Sequence, residues 1–203
     1  MSLNILNHQH HRPLPVGFYE RDPDKVAVDL IGQMVVRRAL GAIMVGRIVE
    51  VEAYFGEGDP ASHACRGMTP RNAIMFGRAG MAYVYLNYGV HCLLNVVTGL
   101  EGRAGAVLIR ALEPISGIET MVKNRPVKRA VDLTSGPGKL TKALGIDLAD
   151  NGVDMTVRES RLYIANGEQK TRKVIASTRI GISKGEEMLL RFHAEGSPFV
   201  SKQ

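Results

Sequence analysis

Two glutamates and a tyrosine in one short segment have the residue types and the spacing of an acid–base site. The segment "AIMVGRIVEVEAYF", residues 42–55, has the composition of a β-strand. Because side chains alternate along a strand, Glu50, Glu52 and Tyr54 should share one face, whereas the opposite face is apolar and is predicted to join the core. A carboxylate on a rigid strand beside a pocket can act as a general base, and the alternative is an ordinary solvated face.

A group of tyrosines follows in "AYVYLNYGVHCLLN", which predicts a β-hairpin with strands 81–87 and 91–97. Tyr83 reads as a half-buried structural residue, because tyrosine suits a pleated surface. Tyr88 lies beside Gly89 at the predicted turn, where packing does not account for a large ring. Exposed aromatic tips stack on nucleobases or wedge between base pairs, and the alternative is a chance surface ring.

Two basic residues could bind anions. Arg110 interrupts the apolar strand "AVLIRALE", so its guanidinium needs either an internal carboxylate such as Glu50 or a phosphate. The residues alone do not decide between these partners. Lys139 lies in "SGPGKL" at a predicted helix start, where backbone N–H groups favour an anion, although simple helix capping is the alternative.

Residues 56–80 are rich in glycine, proline and arginine and predict a long loop with one helical turn. Loops of this length inside compact domains are usually functional. Asp59, His63 and Cys65 lie in this loop, but their spacing is not that of a metal site. We therefore expect neither a metal nor a cofactor.

The chain has 203 residues and a formal net charge of +6. Its length predicts one domain, residues 14–203, after a flexible tail, residues 1–13. The basic excess favours nucleic acid as the partner, and no apolar run is long enough to span a membrane. Two cysteines and no visible secretory signal predict a reducing compartment. In a bacterium we expect the cytoplasm, in association with the nucleoid, and in a eukaryote we expect the nucleus.

Local signals predict short helices over residues 22–32, from Pro114 onward, and over residues 135–145, with Ser135 or a neighbour capping the last and Gly145 ending it. The last third of the chain predicts three strands. We therefore expect an α+β fold: a single domain with a curved, mostly antiparallel, barrel-like β-sheet, flanked by short helices and a protruding β-hairpin.

Several long segments stand in the order of a known family: "IVEVEAYFGEGDPASHACRGMTPRNAIMFG", "AYVYLNYGVHCLLNVV", "AVLIRALEP", "SGPGKLTKALGI" and "GSPFVS". On these segments, from about Leu14 to Ser201, the chain resembles the alkyladenine (3-methyladenine) DNA glycosylase family. The resemblance implies a monofunctional, monomeric DNA repair enzyme that needs no metal. Such an enzyme flips alkylated purines of the 3-methyladenine and 7-methylguanine type out of double-stranded DNA, hydrolyses the N-glycosidic bond and leaves an abasic site.

The resemblance also implies roles for the residues of the cavity. Glu52 matches the catalytic glutamate, which acts as a general base on the attacking water. Tyr54, His63 and Tyr85 match the aromatic walls that hold the flipped base, and electron-rich rings favour a cationic base. Asn95 matches an asparagine that excludes guanine through a clash with its 2-amino group.

For the contacts with DNA, the resemblance implies three further roles. Tyr88 matches the tyrosine that intercalates through the minor groove and fills the gap left by the flipped nucleotide. Arg110 matches an arginine that binds a phosphate of that nucleotide, and Lys139 is expected to contact another phosphate. Val90 and His91 differ from the bulkier residues of some relatives, which leaves the shape of the wedge open.

Two other classes of function remain as alternatives. A non-catalytic nucleic-acid-binding module could keep the same scaffold, but the presence of Glu52, Tyr54 and His63 counts against it. A metal-dependent nuclease or hydrolase that acts on phosphodiesters is the second alternative. A base-release assay and insensitivity to EDTA would separate both from a glycosylase.

Overall fold

The structure is a computed structural model that describes residues 12–39, 41–167 and 173–201. The predicted N-terminal tail, residues 1–13, lies almost wholly outside the described residues, so its flexibility stays a prediction. Within the described residues, no helix is long and apolar enough to cross a membrane.

The described residues form four α-helices and eight β-strands. The helices are α1 (Val16–Tyr19), α2 (Pro23–Leu30), α3 (Ile118–Asn124) and α4 (Pro137–Leu144). The strands are β1 (Met34–Ala39), β2 (Ala42–Phe55), β3 (Ala82–Asn87), β4 (His91–Val97), β5 (Gly105–Ser116), β6 (Leu162–Ala165), β7 (Val174–Ser177) and β8 (Arg191–Ala194). The three strands predicted for the last third of the chain are confirmed.

The strands form one curled sheet in which neighbouring strands are antiparallel. The order is β3-β4-β5-β2-β1-β6, while β8 pairs with β2 and β7 pairs with β8. The 14-residue strand β2 pairs with β5 along one edge, and its other edge pairs first with β1 and then, at Glu50–Glu52, with β8. The predicted α+β fold with a curved antiparallel sheet is confirmed.

Both faces of β2 are buried around the two glutamates. Val51 and Ala53 lie in the hydrophobic core, as the alternation predicts. Ile48 lies in the same core, and a register shift with β5 separates it from Glu50. Glu50 and Glu52 are also completely buried, because the curled sheet and the chain after β7 cover the other face. The alternative of a solvated strand face is therefore wrong.

The two longer helices agree with the predicted ends. Helix α2 begins at Pro23 after Asp22, although the Asp22 side chain makes no capping hydrogen bond. Helix α4 ends at Gly145, whose positive φ of 63° is the left-handed conformation that glycine favours. Its N-cap residue is Gly136, the neighbour of Ser135, as the prediction allows.

The predicted start of helix α3 near Pro114 is wrong. Pro114 belongs to β5, where it pairs with Gly46 beside a shift in the register with β2. Such irregular positions tolerate proline, which cannot donate to the strand ladder. The helix starts only after Gly117, where φ is 70° and where a Cβ would lie 2.5 Å from the carbonyl oxygen of Ile43.

A buried ion pair links the sheet to the segment before β6. Arg37 Nη1 of β1 lies 2.6 Å from Asp150 Oδ1, and Arg161 Nε donates to the same oxygen at 2.6 Å. Burial raises the pKa of Asp150, but the hydrogen bonds from Arg161 and Arg37 outweigh it, so that the pKa lies below its usual value. The ionised form of Asp150 therefore stabilises the folded state.

We predict that Asp150→Asn lowers the free energy of unfolding by about 3–5 kcal/mol at pH 7, because it leaves buried Arg37 without its counter-charge. Since the pKa of Asp150 is lower in the folded than in the unfolded protein, this contribution is complete above about pH 4 and is lost as the pH falls through the lowered pKa. Urea unfolding at pH 7 and pH 3 measures both effects.

The matched control is Glu113→Gln, which removes the partly exposed ion pair with Arg47, 2.9 Å long. This variant should lose at most about 1 kcal/mol. Equal losses in the two variants, or a loss in Asp150→Asn that does not shrink at pH 3, would contradict the prediction.

Candidate active site

A cavity of about 320 Å³ lies between the β3–β4 hairpin, the end of β2 and residues 180–182. This volume is within the range of small-molecule sites, about 300–1,000 Å³. The aromatic residues that line it are Tyr54, His63, Tyr83, Tyr85 and Tyr88. Asn95 and Arg110 also line it, so the structure brings together all but two of the site residues predicted from the sequence.

The aromatic wall is held together by ring contacts. The rings of His63 and Tyr85 meet edge to face with centroids 4.6 Å apart, and the rings of Tyr83 and Tyr85 lie 5.2 Å apart. Burial raises the pKa of Tyr85 to about 12, so its hydroxyl is protonated at neutral pH. The rings of the wall therefore pack against one another, and Tyr85 carries no charge.

His63 belongs to this wall and is uncharged at neutral pH. Its Nδ1 lies 2.9 Å from the Tyr83 hydroxyl. Burial, and then the positive charge of Arg71, hold the pKa of His63 below its usual value. The loop of residues 56–80 supplies His63, and Asn72 in that loop donates to the His63 carbonyl at 2.8 Å.

Tyr83 is the cavity residue that the sequence-based interpretation missed. It is buried and not half-buried as predicted, and it contacts His63 and Tyr85 and lines the cavity. Strand alternation could have predicted this position, because Tyr83 is two positions before Tyr85 and therefore shares its face of the strand.

Glu52 lies directly beneath the cavity and is completely buried. The Tyr54 hydroxyl donates to its Oε2 at 2.8 Å, and Arg110 Nη1 lies 3.1 Å from the same oxygen. The Ile180 N–H donates to Oε1 at 2.7 Å. Glu52 does not itself line the cavity, but all three of its donors do, so the groups that bind Glu52 form the floor of the cavity.

The phenol of Tyr54 is fixed in its protonated form. Burial raises the pKa of Tyr54, and the neighbouring negative charge of Glu52 raises it further. The Tyr54 hydroxyl therefore serves as a hydrogen-bond donor to the carboxylate. Strand alternation predicts that Tyr54 and Glu52 share a face, and this contact confirms it.

Arg110 bridges the two glutamates of β2. Its Nε lies 3.3 Å from Glu50 Oε1, while its Nη1 is on Glu52. Glu50 has two further partners, because Arg191 Nε donates to it at 2.7 Å and the Ser201 N–H at 2.5 Å. The structure thus shows Arg110 with internal carboxylates, and its expected phosphate contact stays a prediction.

Asn95 has a fixed amide orientation. Its Nδ2 donates to the Tyr83 carbonyl at 3.0 Å, so that this end of the amide cannot be the oxygen.

Lys139 does not line the cavity; it lies in the first turn of α4, where its Nζ is 3.5 Å from Ser135 Oγ. Pro137, the first residue of α4, reaches the cavity, which places Lys139 close to its rim.

Tyr88 is at the tip of the hairpin, as predicted, and its side chain is 87% exposed. Its φ is +49°, and among the described residues no other non-glycine residue has a positive φ. Gly89 follows with φ +69°, and the Val90 N–H donates to the Asn87 carbonyl. Two successive positive φ angles indicate a type I′ turn, in which tyrosine is strained.

Acidic and nitrogen ligands do not gather in a metal-binding arrangement here. Within the part of the chain that the structure describes, no group of three or more histidine, cysteine, aspartate or glutamate residues could hold a metal. Both oxygens of Asp59 are instead occupied by Arg179, at 2.7 and 2.8 Å. The sequence-based interpretation missed Arg179, since its partner is 120 positions away.

Comparison with known proteins identifies the family. The model of the Methylpurine-DNA glycosylase family matches residues 17–198. Curated relatives named "Putative 3-methyladenine DNA glycosylase" align over nearly their full length. That of Methanoculleus marisnigri is 47% identical over 94% of this chain and 99% of its own length. That of Carboxydothermus hydrogenoformans is 49% identical over 94% of this chain and 99% of its own length. That of Mesorhizobium japonicum is 48% identical over 95% of this chain and 92% of its own length.

The chain therefore belongs to the methylpurine-DNA glycosylase family. It is an enzyme, a DNA glycosylase of the 3-methyladenine type, and its substrate is DNA. The family resemblance expected from the sequence is confirmed.

Proposed function

We propose that this enzyme, as a monomer, flips alkylated purines of the 3-methyladenine and 7-methylguanine type out of double-stranded DNA and hydrolyses their N-glycosidic bond. The observation that carries the proposal is the buried carboxylate of Glu52 beneath a cavity with aromatic walls. A nucleobase has the flat, apolar faces that such walls bind. The product is an abasic site in an unbroken strand.

Glu52 is the general base in this mechanism. Its Oε2 accepts a hydrogen bond from Tyr54 and forms an ion pair with Arg110, whereas Oε1 accepts one hydrogen bond, from Ile180, among the described residues. A carboxylate oxygen accepts two, so Oε1 retains capacity for a water molecule. Glu52 takes a proton from this water as it attacks C1′, and its negative charge stabilises the positive charge that develops on the sugar.

Arg110 connects the base to the DNA. It lines the cavity and is only 7% exposed, with its charge shared between Glu50 and Glu52. A phosphate of the flipped nucleotide is a strong competitor for this guanidinium. When Arg110 turns to that phosphate, it leaves Glu52 Oε2 and opens the floor of the cavity toward the carboxylate.

Tyr88 is the wedge that keeps the base out of the helix. Unstacking a base costs a few kcal/mol, and a ring that stacks on the neighbouring bases returns about 1–3 kcal/mol. The strained backbone supports a functional role, because strain of this kind is concentrated at functional sites.

Lys139 contacts a neighbouring phosphate and adds sequence-independent affinity.

The walls suit a positively charged purine. Alkylation at N3 or N7 gives the base a positive charge, which aromatic faces attract and which makes the base a good leaving group without an acid catalyst. His63 is uncharged at neutral pH and does not repel such a base. Asn95, with its amide fixed by the Tyr83 carbonyl, excludes the 2-amino group of undamaged guanine.

The direct test uses duplex oligonucleotides that each contain one defined lesion, followed by alkaline cleavage at abasic sites. We expect cleavage only after alkali, only at the lesion, and equally with and without EDTA. Strand breaks before alkali, or no cleavage at any alkylated purine, would contradict the proposal.

We predict that Glu52→Gln keeps its affinity for damaged DNA but releases the base roughly 10²–10⁴-fold more slowly, because it removes the general base and retains the shape. Single-turnover release and binding in gel-shift assays measure the two effects separately. The control is Glu113→Gln, on β5 and outside the cavity, which should release the base at the wild-type rate. Near-normal release by Glu52→Gln would refute the role.

We predict that Tyr88→Asn is at least as stable as the wild type but releases bases from duplex DNA roughly 5- to 150-fold more slowly, the rate equivalent of about 1–3 kcal/mol of stacking. Stability should not fall, because asparagine before glycine is the favoured pair in a type I′ turn. Thermal unfolding and single-turnover assays measure the two properties. Val90→Ala changes another exposed residue of the turn and should be much less affected.

We predict that damaged DNA carrying a cationic lesion binds about tenfold more weakly once His63 is protonated, since the imidazolium then repels the positive charge of the base. Because the pKa of His63 lies below its usual value of 6.5, the loss should appear only at pH values below about 6.5. The measurement is the dissociation constant for the damaged duplex between pH 5 and 8, divided at each pH by the dissociation constant for the same duplex without the lesion. His63→Gln should show no such loss, and an identical loss in this variant would contradict the prediction.

A further inference from the structure

A second buried ion pair lies beside the cavity without lining it. The guanidinium of Arg179 binds both oxygens of Asp59, and both side chains are completely buried. A buried ion pair is expensive to desolvate and is often no more stable than apolar residues of the same size. Fold stability alone is therefore a weak explanation for it, whereas fixed geometry is a recognised use of such pairs.

Arg179 contacts the backbone and the ring next to the proposed base. Its Nη1 donates to the carbonyl of Ala53, which lies between Glu52 and Tyr54, at 3.1 Å. Its guanidinium carbon is 4.6 Å from the centroid of the Tyr54 ring. The face of Tyr54 that Arg179 covers is thus fixed, and with it the direction of the hydroxyl that donates to Glu52.

The residue after Arg179 completes the arrangement. Ile180 donates its N–H to Glu52 Oε1 at 2.7 Å, so the Arg179 side chain anchors the peptide segment that supplies this donor. Two of the three donors to Glu52, from Tyr54 and Ile180, therefore depend on the position of Arg179.

Asp59 extends the same anchor to the loop of residues 56–80. One oxygen of Asp59 accepts the Phe55 N–H at 3.0 Å, and the other accepts the Ala61 N–H at 3.1 Å. The loop reaches His63 two residues after Ala61. The pair thus joins the end of β2, the start of the loop that carries a wall residue, and the segment after β7.

We propose that Arg179, held by Asp59, is a positioning residue for base release, and that it fixes the Tyr54 hydroxyl and the Ile180 N–H against the carboxylate of Glu52. This inference rests on the proposed role of Glu52 as the general base. It depends on the planar fork of arginine, because one side chain must bind two carboxylate oxygens, a carbonyl and a ring face. Lysine has the charge but not this geometry.

The test compares Arg179→Lys with the wild type in single-turnover assays at increasing enzyme concentration, which separate the maximal rate of base release from half-saturation by damaged DNA. We expect the maximal rate to fall between roughly tenfold and 10²-fold, as for a small misplacement of a catalytic group, with half-saturation unchanged. A wild-type maximal rate in folded Arg179→Lys would overturn the proposal.

Arg37→Lys is the matched control, since Arg37 also forms a buried pair with an aspartate and donates to a carbonyl, that of Gly145 at 2.9 Å, but does not line or adjoin the cavity. Both variants should lose thermal stability, and only Arg179→Lys should lose maximal rate. Equal losses of rate would show a general effect of stability and overturn the proposal.

The same substitution in the Glu52→Gln background separates this inference from the proposed function. If Arg179 acts through Glu52, Arg179→Lys should have no further effect on the residual rate of Glu52→Gln. If Glu52→Gln itself releases bases normally, the proposed role of Glu52 as the general base fails, and the positioning role that rests on it fails too. If Glu52→Gln is inactive and Arg179→Lys is normal, only the positioning role fails.

A second pair of variants keeps the test decisive if Arg179→Lys does not fold. Asp59→Asn retains the size of the side chain but weakens its hold on Arg179, and Tyr54→Phe removes the hydroxyl itself. We expect the two variants to lower the maximal rate without changing half-saturation. Folded Asp59→Asn with a wild-type maximal rate would overturn the proposal.

Discussion

The negative charge of Glu52, completely buried, is the constraint on which the rest of the site depends. A carboxylate out of contact with water needs donors in place of its hydration shell. These donors come from Tyr54 on the same strand, from Arg110 on β5, and from Ile180 far along the chain. A buried carboxylate is therefore possible here only because the curled sheet and the segment after β7 bring these donors together.

The β3–β4 hairpin combines two opposite requirements in one rigid element. Its tip carries Tyr88, which is exposed and strained, while its strands carry Tyr83, Tyr85 and Asn95, which line the cavity. Because strand pairing fixes the spacing along the hairpin, the distance between the exposed ring and the cavity wall is set by secondary structure. A ring on a separate loop would have to be positioned against the cavity by tertiary contacts.

Features that depend on local backbone geometry were predictable from the sequence, and features that depend on distant partners were not. Alternation placed Tyr54 with Glu52, and turn chemistry placed Tyr88 at the tip. The start of α3 was mispredicted because the pairing of Pro114 within β5 overrides a local helix signal. The contact of Arg179 could not be predicted for a similar reason, since no local pattern indicates an ion pair with Asp59 at a separation of 120 positions.

The distribution of charge explains why a basic chain can bury so many ions and still attract DNA. Among the described residues, the buried arginines and the buried acids are equal in number: Arg37, Arg110, Arg179 and Arg191 against Glu50, Glu52, Asp59 and Asp150. Four positive and four negative charges cancel, so the formal excess of +6 belongs to the remainder of the chain, where it can meet phosphates. Of these four arginines, only Arg110 lines the cavity. In the proposed mechanism it is therefore the one buried cation of this set that exchanges a carboxylate for a phosphate of the DNA, and this exchange would couple substrate binding to the release of Glu52 from its ion pair.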